Sequence, residues 1–322
     1  MSYKIKAIVS ILGMLLVIGC AVISGMLIYS YGSQSSATTV GASVQTAETF
    51  SGGTFEASGV AHVPGTDSVL IVDDGRSGEV LWMQLDREGK QAGSIKAVNL
   101  GVNIDDLEGI TTDGTYFYVV SSQSRSKSAD QIGLARFKLN RETQSVGEVQ
   151  TISELKRFLI ENVAELSQMG AKKAKDDGIN IEGISWDPAQ ERLLIGLRSP
   201  VVDGNALLVP LKLRDPHGSL AIDNLVTEKI ETIRLPLGGL GVRSIEYDAS
   251  QRLFHIIAGA TESQDKTDFK LWEWGGESNR ALLREGTTFD RKLKPEGVTS
   301  VSVGDISFKF VVFDTSRYLR IQ

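Results

Sequence analysis

Residues 178–200 read GINIEGISWDPAQERLLIGLRSP. Two apolar runs flank a turn segment, the pattern of a β-hairpin, with Glu182-Gly183 at the head of the first run and Arg198-Ser199-Pro200 at the foot of the second. Antiparallel pairing puts the start of one strand beside the end of the next, so Glu182 and Arg198 are expected as neighbours at one end of the hairpin.

Four further stretches resemble this one: EASGVAHVPGTDSVLIVDDG, DLEGITTDGTYFYVVSSQS, GVRSIEYDASQRLFHIIAGA and KPEGVTSVSVGDISFKFVVFDT. Aligned on Gly59, Gly109, Gly183, Ser244 and Gly297, the blocks recur at intervals of 50, 74, 61 and 53 residues, the range of a four-stranded unit with its loops. The long interval contains TISELKRFLIENVAELSQMGAKKAKDDG, where Thr151 and Glu154 form a capping-box pattern and Leu155, Leu159, Val163 and Leu166 recur at helical spacing. A helical insertion of about 25 residues is expected there. Within the first block, strands are expected at 59–63, 68–73, 79–85 and 94–100. Four antiparallel strands per block, repeated along the chain, make the fold class all-β and the architecture a β-propeller. Five blades are favoured over six, and an open sandwich is the competing architecture. Too little chain follows FKFVVFDT to finish the last blade, so the segment around Ser43–Thr54 is expected to supply its outer strand and close the ring.

The residue before each anchor is Ser58, Glu108, Glu182, Arg243 or Glu296, and the second strands end at Asp74, Ser122, Arg198, Gly259 and Asp314. All ten are expected at one rim of the central channel. Side chains two apart along a strand share a face, which adds Asp106 beside Glu108 and Asn180 beside Glu182. The expected ligand-binding set is Glu108, Glu182, Arg198, Arg243, Glu296 and Asn180. Oxygen ligands from Asp74, Asp106, Glu108, Glu182, Glu296 and Asp314 suit Ca²⁺ or Mg²⁺, and the arginines suit phosphate or carboxylate. The competing reading is that these charges neutralise one another and fix the blades without any ligand.

The chain has 322 residues, a net charge of −6 and 41% hydrophobic content. No segment concentrates the basic charge that phosphate backbones require, so nucleic acid is not expected as a partner. Residues 7–31 form an apolar run, long enough as a helix to cross a bilayer, and Lys4 and Lys6 before it place the N-terminus in the cytoplasm. An uncleaved inner-membrane anchor is expected at residues 1–31, with a lipoprotein box ending at Cys20 and a removed signal peptide as alternatives. Residues 32–52 read as a Ser/Thr-rich linker and 53–322 as the propeller, on the periplasmic or extracellular side. Cys20 is the sole cysteine, which leaves the propeller without thiol chemistry.

His62, His217 and His255 lack zinc-site spacing, and no G-x-S-x-G, P-loop or H-E-x-x-H motif occurs. The polar stretch Ser121–Asp130 reads as a solvated loop, and Trp82, Trp186, Trp272 and Trp274 read chiefly as strand packing. The stretches INIEGISW, RLLIGLRSP, LPLGGLGVRSIEYD, FKLWEW and KPEGV resemble a bacterial family of propellers of unknown function over roughly residues 53–320. More distantly the chain looks like esterase-like phytase propellers. That resemblance implies the propeller fold and leaves room for a metal-dependent phosphoesterase. The family's SHS-like stretch, however, is Ser122-Gln123-Ser124 here, without the imidazole. The function expected is binding of a small ligand, a divalent cation or an envelope protein at the channel mouth. A phytase-like hydrolase and a structural scaffold are the alternatives.

Overall fold

The structure, a computed structural model, describes residues 46–125, 131–228, 230–264, 268–277, 279–285, 287 and 289–322. The anchor, most of the linker and residues 126–130 of the polar loop lie outside this set. Among the described residues, no helix is long and apolar enough to cross a membrane.

A short strand β1 (Glu48–Thr49) comes first. Four strands follow in the first block: β2 (Ala57–His62), β3 (Ser68–Asp73), β4 (Glu79–Leu85) and β5 (Gln91–Asn99). The second block is β6 (Leu107–Thr112), β7 (Phe117–Ser121), β8 (Leu134–Asn140) and β9 (Ser145–Ile152). The helix α1 (Leu155–Asn162) separates it from β10 (Asn180–Asp187), β11 (Arg192–Ser199), β12 (Ala206–Leu211) and β13 (Ile233–Leu235). Then come β14 (Gly241–Asp248), β15 (Leu253–Gly259), β16 (Lys270–Trp274) and β17 (Ala281–Leu283), and last β18 (Pro295–Val303), β19 (Ile306–Phe313) and β20 (Arg317–Ile321). Each block is one four-stranded antiparallel sheet, and the fifth takes β1 as its outer strand in the order β1-β20-β19-β18. The five innermost strands β2, β6, β10, β14 and β18 are successive neighbours, with β18 returning to β2. This is a five-bladed β-propeller.

Burial follows the radial position of each strand. β2 and β3 are buried along almost their whole length, on both faces, because each blade is covered by one neighbour on either side. β5 and β9, at the outer edge, alternate between exposed and half-buried. The apolar core is accordingly divided into five seams between blades. Closure by β1 rests on more than two strand pairs. Glu48, the single charge in the linker, accepts a hydrogen bond from Tyr318 Oη at 3.1 Å and pairs with Arg320 at 2.6 Å. Phe50 packs against Tyr318 with ring centroids 5.1 Å apart.

The expected helical insertion is shorter than its sequence pattern. α1 covers eight residues, followed by single 3₁₀ turns at Ala164–Leu166 and Ala174–Asp176. The capping box does not form: Thr151 pairs with Ala135 inside β9, and Glu154 stands at the N-cap with its side chain paired to Arg157 and not to the helix backbone. The strand ladder claims Thr151 before the helix can. Leu155, Leu159, Val163 and Leu166 are nonetheless all buried, in the seam between the second and third blades, so their spacing reports burial rather than one continuous helix.

The anchor glycines sit where inner strands of adjacent blades nearly touch. A Cβ on Gly59 would lie 2.8 Å from the Glu108 carbonyl oxygen and 3.0 Å from Gly109 Cα; one on Gly297 would lie 2.9 Å from Gly59 Cα. In the fourth blade Ser244 occupies the anchor, and its hydroxyl accepts the Val298 N–H at 3.1 Å. Gly59→Ala is therefore expected to destabilise the propeller by about 1–3 kcal/mol, because the nearest obstructing atom, the Glu108 carbonyl oxygen, is backbone and cannot rotate away. Gly147→Ala, at a glycine with no heavy atom within 4 Å of the added carbon, is the control. Urea unfolding midpoints of the two variants check this.

Candidate functional site

One irregularity recurs in all five inner strands. The register of β2 against β3 skips from Ala57 to Gly59, and the equivalent skips fall at Leu107/Gly109, Ile181/Gly183, Val242/Ser244 and Pro295/Gly297. The skipped residues are Ser58, Glu108, Glu182, Arg243 and Glu296, the set read from the sequence as the rim. A bulge adds one residue to one strand and re-aims its side chain, here out of the ladder and toward the axis. β11 carries a matching irregularity that skips Arg198.

The charges therefore converge, and they pair. Arg198 Nη1 lies 3.0 Å from Glu182 Oε1, while Arg243 Nη1 lies 2.9 Å from Glu182 Oε2 and its Nη2 contacts Glu296 Oε1. Asn180 Nδ2 donates to Glu182 Oε1 at 3.2 Å and to Glu262 at 3.3 Å. Asn180, Glu182, Arg243 and Glu296 are all buried. Burial opposes the charge on Arg243, but Glu182 and Glu296 outweigh it and hold the guanidinium ionised. Burial pushes Glu296 up to about 8 against the pull of Arg243. Glu108 forms no ion pair or hydrogen bond with the described residues. Burial, followed by the charges of Glu182 and Glu296, pushes it well above the usual carboxylate range. Three carboxyls share two guanidinium groups, and Glu108 is the one left without an ion pair among the described residues.

Of the six carboxylates expected to bind metal, Glu108, Glu182 and Glu296 are brought to the axis. The others go elsewhere. Asp106, in a left-handed conformation at φ 63°, accepts the Ser122 hydroxyl and pairs with Arg125 at 3.3 Å. Asp74 lies by Glu56, Asp73 and Asp314, and burial with those like charges raises it to about 6. Asp314 itself pairs with Lys294. Among the described residues no three His, Cys, Asp or Glu side chains are grouped so as to hold a metal ion. At the rim expected to be an open mouth, oppositely charged groups of one blade and of adjacent blades pair with one another.

A cavity of about 500 Å³ lies at the other end of the channel, where the inner strands finish. It is bounded by residues of all five blades, among them His62, Asp113, Trp186, Glu246 and Ser300. Asp113, Asp187 and Asp248 share a role at this end, each accepting backbone N–H groups in the turn between first and second strands. Inner strands are also tied across the seams. The Trp186 N–H donates to Thr111 Oγ1 and the His62 N–H to Thr299 Oγ1, both at 3.1 Å, and the Ser300 N–H to Glu246 Oε1 at 2.8 Å.

Glu246 belongs to a network absent from the sequence reading. Its Oε2 accepts the Ser300 hydroxyl at 3.1 Å; Lys309 Nζ donates to Ser300 Oγ at 2.8 Å and pairs with Asp248. His255 Nε2 lies 3.6 Å from Asp248 Oδ2, and neither ring nitrogen has a hydrogen-bond partner. Burial raises Glu246 to about 7, and burial with Lys309 lowers His255 to about 4. Against the cost of burial, Lys309 and the Ser250 hydroxyl hold Asp248 well below its usual range.

Residues 135–305 match the model of a family described as "Protein of unknown function (DUF3616)". The chain belongs to that family. No curated protein matches it. Among solved structures, a Myxococcus xanthus glutaminyl cyclase is 11% identical over 83% of this chain and 90% of its own, with a TM-score of 0.44. The PQQ domain of a Coprinopsis cinerea pyranose dehydrogenase is 12% identical over 86% of this chain and 97% of its own, with a TM-score of 0.45. These likenesses are too distant to carry chemistry across.

Because Glu108 holds its proton more tightly folded than unfolded, its contribution to stability is complete below its unfolded value and is lost as pH rises through the folded one. Glu108→Gln removes that loss. The melting temperature of the variant relative to wild type is expected to be higher at pH 8 than at pH 5, read by differential scanning calorimetry at both.

Proposed function

We propose that this protein is a ligand-binding propeller of the bacterial envelope, held at the inner membrane by residues 7–31, with the propeller outside the cytoplasm. A small polar molecule occupies the 500 Å³ cavity at the end of the channel opposite the Glu182–Arg243 cluster. The observation that carries this reading is the cavity itself, walled by five blades, of the size that small-molecule sites have, and edged with side chains able to donate and accept hydrogen bonds. The membrane location is supported by the apolar run and its two leading lysines.

Phosphate-ester hydrolysis of the phytase kind receives less support. The two arginines suited to clamp phosphate are engaged by Glu182 and Glu296, at the opposite end from the cavity. Calcium has no grouped ligand set among the described residues.

Two measurements test the proposal. Thermal melting of the full chain in detergent against a panel of amines, sugars and carboxylates is expected to show a rise with at least one class. At a ligand concentration a hundredfold above Kd, the stabilisation is about 2.7 kcal/mol. Ser302→Trp, which adds bulk at an exposed residue of the cavity wall, is expected to remove the rise; a rise that survives it argues for a site elsewhere. Extraction with alkaline carbonate is expected to leave the full chain in the membrane pellet, and release into the supernatant would dismiss the anchor.

A further inference from the structure

The five blades repeat one another, so a position can be compared across all five seams. Where one blade meets the next, the second residue after its anchor and that residue's partner on the second strand face the third residue after the next anchor and its partner. In four seams these quartets are Ala61, Leu70, Thr112 and Phe117; Thr111, Tyr118, Trp186 and Leu193; Ser185, Leu194, Tyr247 and Phe254; and Thr299, Phe310, His62 and Val69. In the seam between the fourth and fifth blades the quartet is Glu246, His255, Ser300 and Lys309. That seam also has the smallest apolar core of the five among the described residues. A threonine suffices for the strand tie that Glu246 makes, as Thr111 and Thr299 show. A carboxylate there costs desolvation that the tie does not require.

The charges on the cavity wall do not cancel. Lys309 is engaged by Asp248, and Arg284 lies 3.5 Å from Glu273. Burial lowers His62 and so disfavours its charged form, and its Nε2 is 2.8 Å from the Thr66 carbonyl oxygen. Glu246 and Asp113 remain as carboxylates without a cation. Glu246 Oε1 accepts the Ser300 N–H and, at 3.5 Å, the Thr299 hydroxyl, while Oε2 accepts only the Ser300 hydroxyl and keeps acceptor capacity. Trp186 and Tyr247, half-buried aromatic side chains, line the same space. Carboxylate with aromatic surface, and no uncommitted cation, is the chemistry that receives an organic ammonium group.

Resting on the cavity reading above, we infer that the ligand is a small organic cation, a protonated amine, whose ammonium group binds against Glu246 at the seam of the fourth and fifth blades. Glu246 sits near neutrality, with Asp248, His255 and Lys309 packed against it and His62, Asp113 and Arg284 around the cavity, so amine binding favours its ionised form.

Isothermal titration of the full chain in detergent with phenethylamine and spermidine, with 2-phenylethanol as neutral and phenylacetate as anionic counterpart, tests this. An amine is expected to bind about tenfold more tightly at pH 8 than at pH 6, because Glu246 passes from mostly protonated to mostly ionised across that interval. Protons are expected to be released, read as a dependence of the heat on the buffer's ionisation enthalpy. Glu246→Gln keeps an acceptor for the Ser300 N–H and is expected to weaken amine binding about tenfold and abolish the pH dependence. Should that variant fail to fold, the pH dependence and proton release of the wild type decide. Binding of 2-phenylethanol or phenylacetate as tight as that of the amines overturns the cation inference and leaves the cavity reading standing. Silence from all three classes overturns the cation inference, and the cavity reading then falls only if the sugars of the melting panel are silent too.

Discussion

The constraint on which the structure depends is the close approach of five inner strands around one axis. A Cβ on Gly59 or Gly297 would meet backbone of the next blade within 3.0 Å, one on Gly109 would meet it at 3.1 Å, and Ser244 turns the same proximity into a hydrogen bond. Strands so close leave no room for ordinary side chains at the anchors, and the neighbouring residue is displaced from the ladder in every blade. The bulge and the glycine are two consequences of one geometry. Together they decide which residues reach the axis, and the charges placed there follow from that.

Much of this was legible in the chain. Repetition of the anchors fixes the number of blades, because each repeat is one supersecondary unit that cannot bury its faces alone. The unfinished last block points to an N-terminal closing strand, and Glu48 and Phe50 now show what holds it. The residue before each anchor was legible as a rim residue by alignment alone. That its position is a bulge was not, since pairing register is invisible without the partner strand.

What the sequence did not point to is the cavity at the other end of the channel. Glu and Arg at equivalent positions of different blades read as a ring of ligands, yet whether they stay free for a ligand depends on side-chain reach between neighbouring blades. Here Arg243 spans from Glu182 to Glu296. The polar network of Glu246, Ser300, Lys309 and Asp248 escaped notice for a related reason. Its members lie 63 residues apart at most, on strands of two blades, and each is unremarkable within its own alternating strand. The signal that would have found it was present: comparing blades at one position, rather than scanning each blade for motifs, isolates the polar exceptions.

Repeat architecture gives that comparison its force. Stability in a ring of similar blades is carried by positions that repeat, such as the turn-capping Asp113, Asp187 and Asp248. The two ends of the channel illustrate opposite uses of buried charge. At one end, carboxylates are shared between two guanidinium groups and the strands are locked together, as expected where ions satisfy one another. At the other, Lys309 and Asp248 satisfy each other while Glu246 keeps acceptor capacity toward an open cavity, in the seam with the least apolar core. The equivalent quartets of the other four seams combine hydroxyl residues with aliphatic or aromatic side chains, and none of them holds a carboxylate or a lysine. A charged quartet that weakens one seam, retained beside the space where a molecule fits, is the arrangement expected when stability is traded locally for recognition.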